Sequence, residues 1–151
     1  MERLVVALVI IAIVGAVAAV VRRRRRPDPP TQRRYSAPTQ LDRADFDRPD
    51  AAWLVAVFTS ATCAVCESVA AKAAVLASHD VAVQEIEFGE NRQLHERYSI
   101  DAVPTVVIAD AQGIAVGSFL GPVTATDLWA AVAEAREPGS TPAGGSCQQS
   151  G

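Results

Sequence analysis

Val55-Ala-Val-Phe-Thr-Ser-Ala-Thr-Cys-Ala-Val-Cys66 decides how this chain folds. Its first half is continuously apolar, as in a strand covered on both faces. Its second half breaks through a polar turn into a Cys-x-x-Cys that opens an Ala-rich helix, expected over residues 63–78. Cys63 is thereby placed at a helix N-terminus, where unpaired N–H groups and the positive dipole end stabilise a thiolate. Cys66, three residues on, shares its helical face and lies within reach to resolve a mixed disulfide. The pattern suits electron exchange with disulfides.

Two thiols at this spacing also suit zinc, or an inert structural pair. A structural zinc takes four protein ligands, and the chain offers only Cys147, His79 and His95 besides, none of which forms a second ligand pair. His79, at a helix end, and His95, on a short polar helix, read as surface residues rather than catalytic ones. Metal and cofactor are therefore both expected to be none.

A second stretch, Tyr98-Ser-Ile-Asp-Ala-Val-Pro-Thr-Val-Val-Ile-Ala-Asp110, places a proline directly before a β-branched run. Proline cannot donate to a sheet ladder, so Pro104 belongs at the first residue of a strand, after a turn. With both stretches in view, residues 41–136 resemble the thioredoxin family. The resemblance implies an α/β thioredoxin-like fold, a central mixed sheet flanked by helices. It also implies that Pro104 is cis and faces the dithiol, and that the backbone of Val103 pairs with the extended chain of a protein substrate.

The departures from the family pattern are informative. The buried aspartate six residues before the first cysteine is Val57 here, and the flanking tryptophans are replaced by Thr59 and Thr62. Glu67 and Glu85 stand where lysines are usual. Glu67, one turn beyond Cys63, opposes a Cys63 thiolate and so pushes the couple toward lower potential, unless it is only a solvated helix charge. Glu85 shares a strand face with Val83 and is expected to be partly buried, where it could replace the missing aspartate as a proton shuttle.

The N-terminus sets the compartment. Residues 4–21 are eighteen uncharged residues dominated by Val, Ile, Ala and Leu. As a helix they would span about 27 Å, enough for a bilayer core. The arginine run 22–26 follows, and the positive-inside rule keeps it in the cytoplasm, which puts the thioredoxin-like domain on the cytoplasmic side. An extracytoplasmic domain is the alternative. Residues 27–40 read as a Pro-rich spacer, and residues 137–151 as a structureless tail whose Cys147 is either an incidental thiol or a cap on Cys63.

Charge divides along the chain. Residues 1–50 hold ten Arg and six acidic residues, net +4, whereas residues 51–151 hold four basic and eleven acidic residues, net −7. An acidic domain argues against nucleic acid as a partner. Strands are expected over 53–59, 81–88, 105–109 and 114–119, with short helices over 92–98 and 126–135 and an entry turn or helix over 41–46. A right-handed parallel βαβ unit begins the sheet, a hairpin turned by residues 110–113 ends it, and Trp53 and Trp129 are expected in the core.

These readings converge on a membrane-anchored thiol-disulfide oxidoreductase. Cys63 attacks a disulfide in a protein substrate, and Cys66 resolves it. By resemblance, the electrons come from a thioredoxin reductase or another dithiol donor. Two rivals remain open: a thioredoxin-fold docking module with an idle dithiol, and a thiol-disulfide exchange protein acting on exported proteins.

Overall fold

The computed structural model describes residues 35–140. Four strands, β1 (Trp53–Thr59), β2 (Val81–Glu87), β3 (Thr105–Ala109) and β4 (Ala115–Leu120), form one mixed sheet in the order β2-β1-β3-β4. β1 runs parallel to β2 and antiparallel to β3, and β3 pairs antiparallel with β4. The connection from β1 to β2 carries helix α1 (Cys66–Ala74); α2 (Arg92–Arg97) and α3 (Ala125–Arg136) complete the fold.

The apolar run of β1 is central because both of its faces are covered. Leu54, Ala56 and Phe58 enter one core with Leu41, Phe46 and Ile86, beneath α2 and a 3-10 turn at Arg43–Asp45. Val55 and Val57 enter the other with Val69 and Ala73 of α1 and Leu128 and Val132 of α3. Each such large side chain contributes about 1.5–3 kcal/mol of transfer free energy when fully buried. α3 starts where Thr124 caps it, its hydroxyl accepting from the Asp127 N–H at 3.1 Å.

The β3–β4 hairpin is fixed by Asp110 and Gly113. The Asp110 carboxylate accepts the N–H groups of Gln112 and Ile114, both at 2.9 Å. Gly113 has φ +79°, and a Cβ there would stand 1.8 Å from the Leu41 carbonyl oxygen. Only glycine satisfies both conditions. Leu41 in turn donates to the Gly113 carbonyl, and Gln40 bridges to Ile114, so the domain begins inside the expected spacer 27–40.

Several expectations need correction. The dithiol helix begins at Cys66 rather than Cys63 and ends at Ala74 rather than Ser78. At its C-terminal end the pairing tightens to 3-10-type turns, Leu76 N–H donating to the Ala73 carbonyl at 2.9 Å and Ala77 N–H to the Ala74 carbonyl at 3.2 Å, and the Arg48 guanidinium holds the chain beyond through the carbonyls of Ser78 (2.8 Å), Val81 and His79. His95 is 2% exposed rather than a surface residue. Trp129 is 45% exposed rather than a core residue; it lies beside the buried stripe of Leu128 and Val132, and its indole N–H donates to the Lys72 carbonyl at 2.9 Å. Trp53 is partly buried against the α1/α3 core, and His79 is exposed as expected.

The apolar segment 4–21, the arginine run 22–26, the spacer up to residue 34 and the tail from 141 with Cys147 lie outside the described residues. Among the described residues, no helix is long and apolar enough to cross a membrane.

Candidate functional site

Thr59, the last residue of β1, hands the chain to a turn built from its own backbone and hydroxyls. Cys63 N–H donates to the Ser60 carbonyl at 3.0 Å, and the Ser60 and Thr62 hydroxyls lie 3.1 Å apart. A second turn follows, in which Cys66 N–H donates to the Cys63 carbonyl at 3.3 Å. Cys63 therefore stands one turn ahead of α1, and Cys66 is its first residue. The two form a disulfide with Cα atoms 5.4 Å apart. Cys63 is partly exposed and Cys66 is 2% exposed. An incoming group can reach the first sulfur and not the second.

Below the pair lies an open groove of about 740 Å³ between α1 and β2. Val57, Ala70 and Val83 line its apolar part; Glu67, Glu85 and Glu87 line its polar part, and both cysteines border it. Val57 is 1% exposed and belongs to the core beneath α1 and α3, and no residue of β1 carries a carboxylate in place of the missing one. Its register partner on the edge strand β2 is Glu85. Side chains paired in register share a face, so a carboxylate is present one strand away.

Glu85 is exposed rather than partly buried, because β2 is the outermost strand and no element covers its far side. The Thr59 hydroxyl, itself buried, donates to Glu85 Oε1 at 2.8 Å. Two residues on, Glu87 accepts the Ala61 N–H at 3.0 Å and the Glu90 N–H at 3.1 Å. These backbone donors, Ala61 foremost, hold its carboxyl below the usual range. Sequence reasoning passed over Glu87, although its i, i+2 spacing from Glu85 puts it on the same face of β2.

The Val103–Pro104 peptide bond, directly before β3, is cis, as the resemblance implied. Pro104 is buried and Val103 partly exposed. The Pro104 carbonyl accepts from Gly121 at 2.8 Å, and the Thr105 hydroxyl donates to the Ala102 carbonyl at 2.8 Å. No backbone hydrogen bond among the described residues engages Val103.

His95 has a structural place away from the site. Its ring lies edge-on to both Phe58 and Phe88, each with centroids 5.2 Å away. Its Nε2 is 2.9 Å from the Ile86 carbonyl, which only accepts, so Nε2 carries the hydrogen. Among the described residues, no group of three or more His, Cys, Asp or Glu is arranged to hold a metal ion.

A mixed sheet with a disulfide of unequally exposed cysteines at the start of a helix, and a cis-proline at the start of a central strand, defines a dithiol-disulfide exchange protein. The thioredoxin family model matches residues 40–134, and the chain belongs to the thioredoxin family. Its structure is similar to a mutant thioredoxin from Halobacterium salinarum NRC-1, with 28% identity and a TM-score of 0.50 over 58% of this chain and 76% of that one. It is similar also to the germline-specific thioredoxin Deadhead of Drosophila melanogaster, with 26% identity and a TM-score of 0.50 over 57% and 83%. No curated protein sequence matches the chain significantly. Family, fold and cysteine pair make this a thiol-disulfide oxidoreductase.

Proposed function

We propose that the chain reduces disulfides in protein substrates from a membrane tether, with its domain on the cytoplasmic side. The observation that carries the chemistry is the asymmetry of the pair, with Cys63 reachable and Cys66 buried. In the reduced protein, the Cys63 thiolate attacks one sulfur of a substrate disulfide and releases the other substrate sulfur as a thiolate. Cys66, once deprotonated, attacks Cys63 Sγ, releases the second substrate thiolate and closes the Cys63–Cys66 bond. Two electrons pass to the substrate, and two protons end on its thiols.

Val103 supports a place for the substrate chain, since its backbone is not engaged by its own fold and stands next to Pro104. Glu85 is the residue we assign to accept the Cys66 proton, because it lines the same groove and the Thr59 hydroxyl holds its side chain there. Direction follows from charge. Three carboxylates around the groove disfavour thiolate, hence the reduced form, and a low-potential dithiol serves as a reductant where a thioredoxin reductase or another dithiol donor recharges it. The tether rests on the apolar segment 4–21 and its arginine flank.

Two measurements test this reading. Reduced protein mixed with a protein disulfide is expected to form protein thiols at the expense of its own; no transfer would leave the dithiol idle. In intact cells, a membrane-impermeant thiol reagent is expected to leave Cys63, Cys66 and Cys147 unlabelled until lysis. Labelling before lysis would move the function to exported proteins.

A further inference from the structure

Glu87 stands out because its side chain joins two loops. One oxygen accepts the N–H of Ala61, in the turn that carries Cys63, and the other accepts the N–H of Glu90, in the loop after β2. The backbone of the same residue is equally committed, its carbonyl accepting from Asn91 at 2.8 Å, while the next residue, Phe88, donates to the Thr59 carbonyl at 3.0 Å. The turn at residues 60–62 otherwise rests on contacts internal to itself. Space around the carboxylate is also reserved: a Cβ on Gly89 would stand 2.8 Å from Glu87 Oε2. Gly89 does not take up a left-handed backbone, so the only effect of a Cβ there is to push on the Glu87 carboxylate.

We propose that Glu87 is a positioning residue, clamping the Ser60–Thr62 turn so that Cys63 is held in bonding register with Cys66. The inference rests on the redox reading of the pair, but concerns the geometry of the Cys63–Cys66 bond itself and not the substrate. A clamp that holds the turn lowers the freedom Cys63 loses when the disulfide closes, which raises the effective concentration of one sulfur at the other. Charge acts on the same equilibrium, since a carboxylate near the pair disfavours thiolates. Variants must therefore separate the two.

The readout is the equilibrium between the dithiol and oxidised glutathione, in which the protein disulfide forms as two glutathione thiols are released. Glu87→Ala loses clamp and charge, and should shift this equilibrium toward the dithiol by about tenfold, the scale of one charge-assisted hydrogen bond. Gly89→Ala keeps the charge but displaces the carboxylate, and should shift it the same way by about threefold or more. Glu87→Gln keeps an oxygen for the Ala61 N–H without the charge, and should stay within about twofold of wild type. A wild-type equilibrium in Glu87→Ala or Gly89→Ala, or a shift in Glu87→Gln as deep as in Glu87→Ala, overturns the clamp. If Glu87→Ala fails to fold, the contrast between Gly89→Ala and Glu87→Gln decides alone. Because glutathione is the only partner, the outcome is independent of whether the protein reduces protein disulfides.

Discussion

The two faces of the sheet are built from opposite chemistries. Beneath α2, Phe58, His95, Tyr98 and Phe46 make an aromatic chain with centroid spacings of 5.2 to 6.3 Å, and its outer end is tied by ions and hydroxyls. The Tyr98 hydroxyl donates to Asp45 and accepts from the Asp42 N–H, while Arg97 reaches both aspartates at 3.1 Å. Beneath α1 and α3, by contrast, the core is Val, Leu, Ile and Ala almost throughout, and it is this aliphatic face that carries the dithiol. The difference teaches where polarity is tolerated: the face that carries the dithiol has no charge at the buried Val57 and keeps its carboxylates at the rim of the groove, at Glu67 on α1 and at Glu85 and Glu87 on the edge strand.

The sharpest break of the comparison is on the dithiol face. Cys63→Ser is expected to abolish disulfide transfer and capture no substrate, whereas Cys66→Ser should hold substrates as mixed disulfides on non-reducing gels. Capture by Cys63→Ser instead would exchange the two roles. On the aromatic face, Phe58→Ala should cost about 3–5 kcal/mol of stability in denaturant unfolding, yet leave the glutathione equilibrium of the folded protein unchanged. A shift in that equilibrium would show that the two faces are coupled through β1.

Tyr98 gives a pH signature confined to the aromatic face. Burial, with the bond to Asp45, pushes its hydroxyl up to about 12 from an ordinary 10. The folded state then holds a proton that the unfolded state has released, so stability is retained below pH 10 and falls as pH rises between 10 and 12. Tyr98→Phe should flatten that part of the unfolding profile, and an unchanged slope would remove Tyr98 as its source. The smallest effect is expected at Glu67, exposed on the first turn of α1. Glu67→Lys should make the couple more oxidising by on the order of 10 mV, because exposed helix charges are worth a few tenths of a kcal/mol. No change in measured potential would show that solvent screens this charge fully.

Much of the fold was legible in local patterns. The unbroken apolar run 53–59, the proline before 105–109 and the Asp110–Gly113 turn each carry their own physical constraint, and each sits where the pattern put it. What was not legible depended on partners distant in sequence. His95 is buried because the Ile86 carbonyl and two phenylalanine rings receive it, and the chain after the dithiol helix is held by Arg48, on another segment, through the carbonyls of Ser78, His79 and Val81. At the site, both cysteines and Pro104 were visible as motifs. The exposure of Glu85 was not, since it follows from β2 lying at the edge, a property of the whole strand order and not of any segment.

The replacement of tryptophan by Thr59 and Thr62 has an optical consequence. Neither Trp53 nor Trp129 lines the groove below the cysteines; one opens β1 within the α1/α3 core, and the other reaches from α3 to the Lys72 carbonyl of α1. The intrinsic fluorescence of this protein is therefore expected to report chiefly how α1 and α3 sit together, with no tryptophan in the groove to report on the disulfide directly. Emission can follow its unfolding, while its redox state has to be counted in thiols.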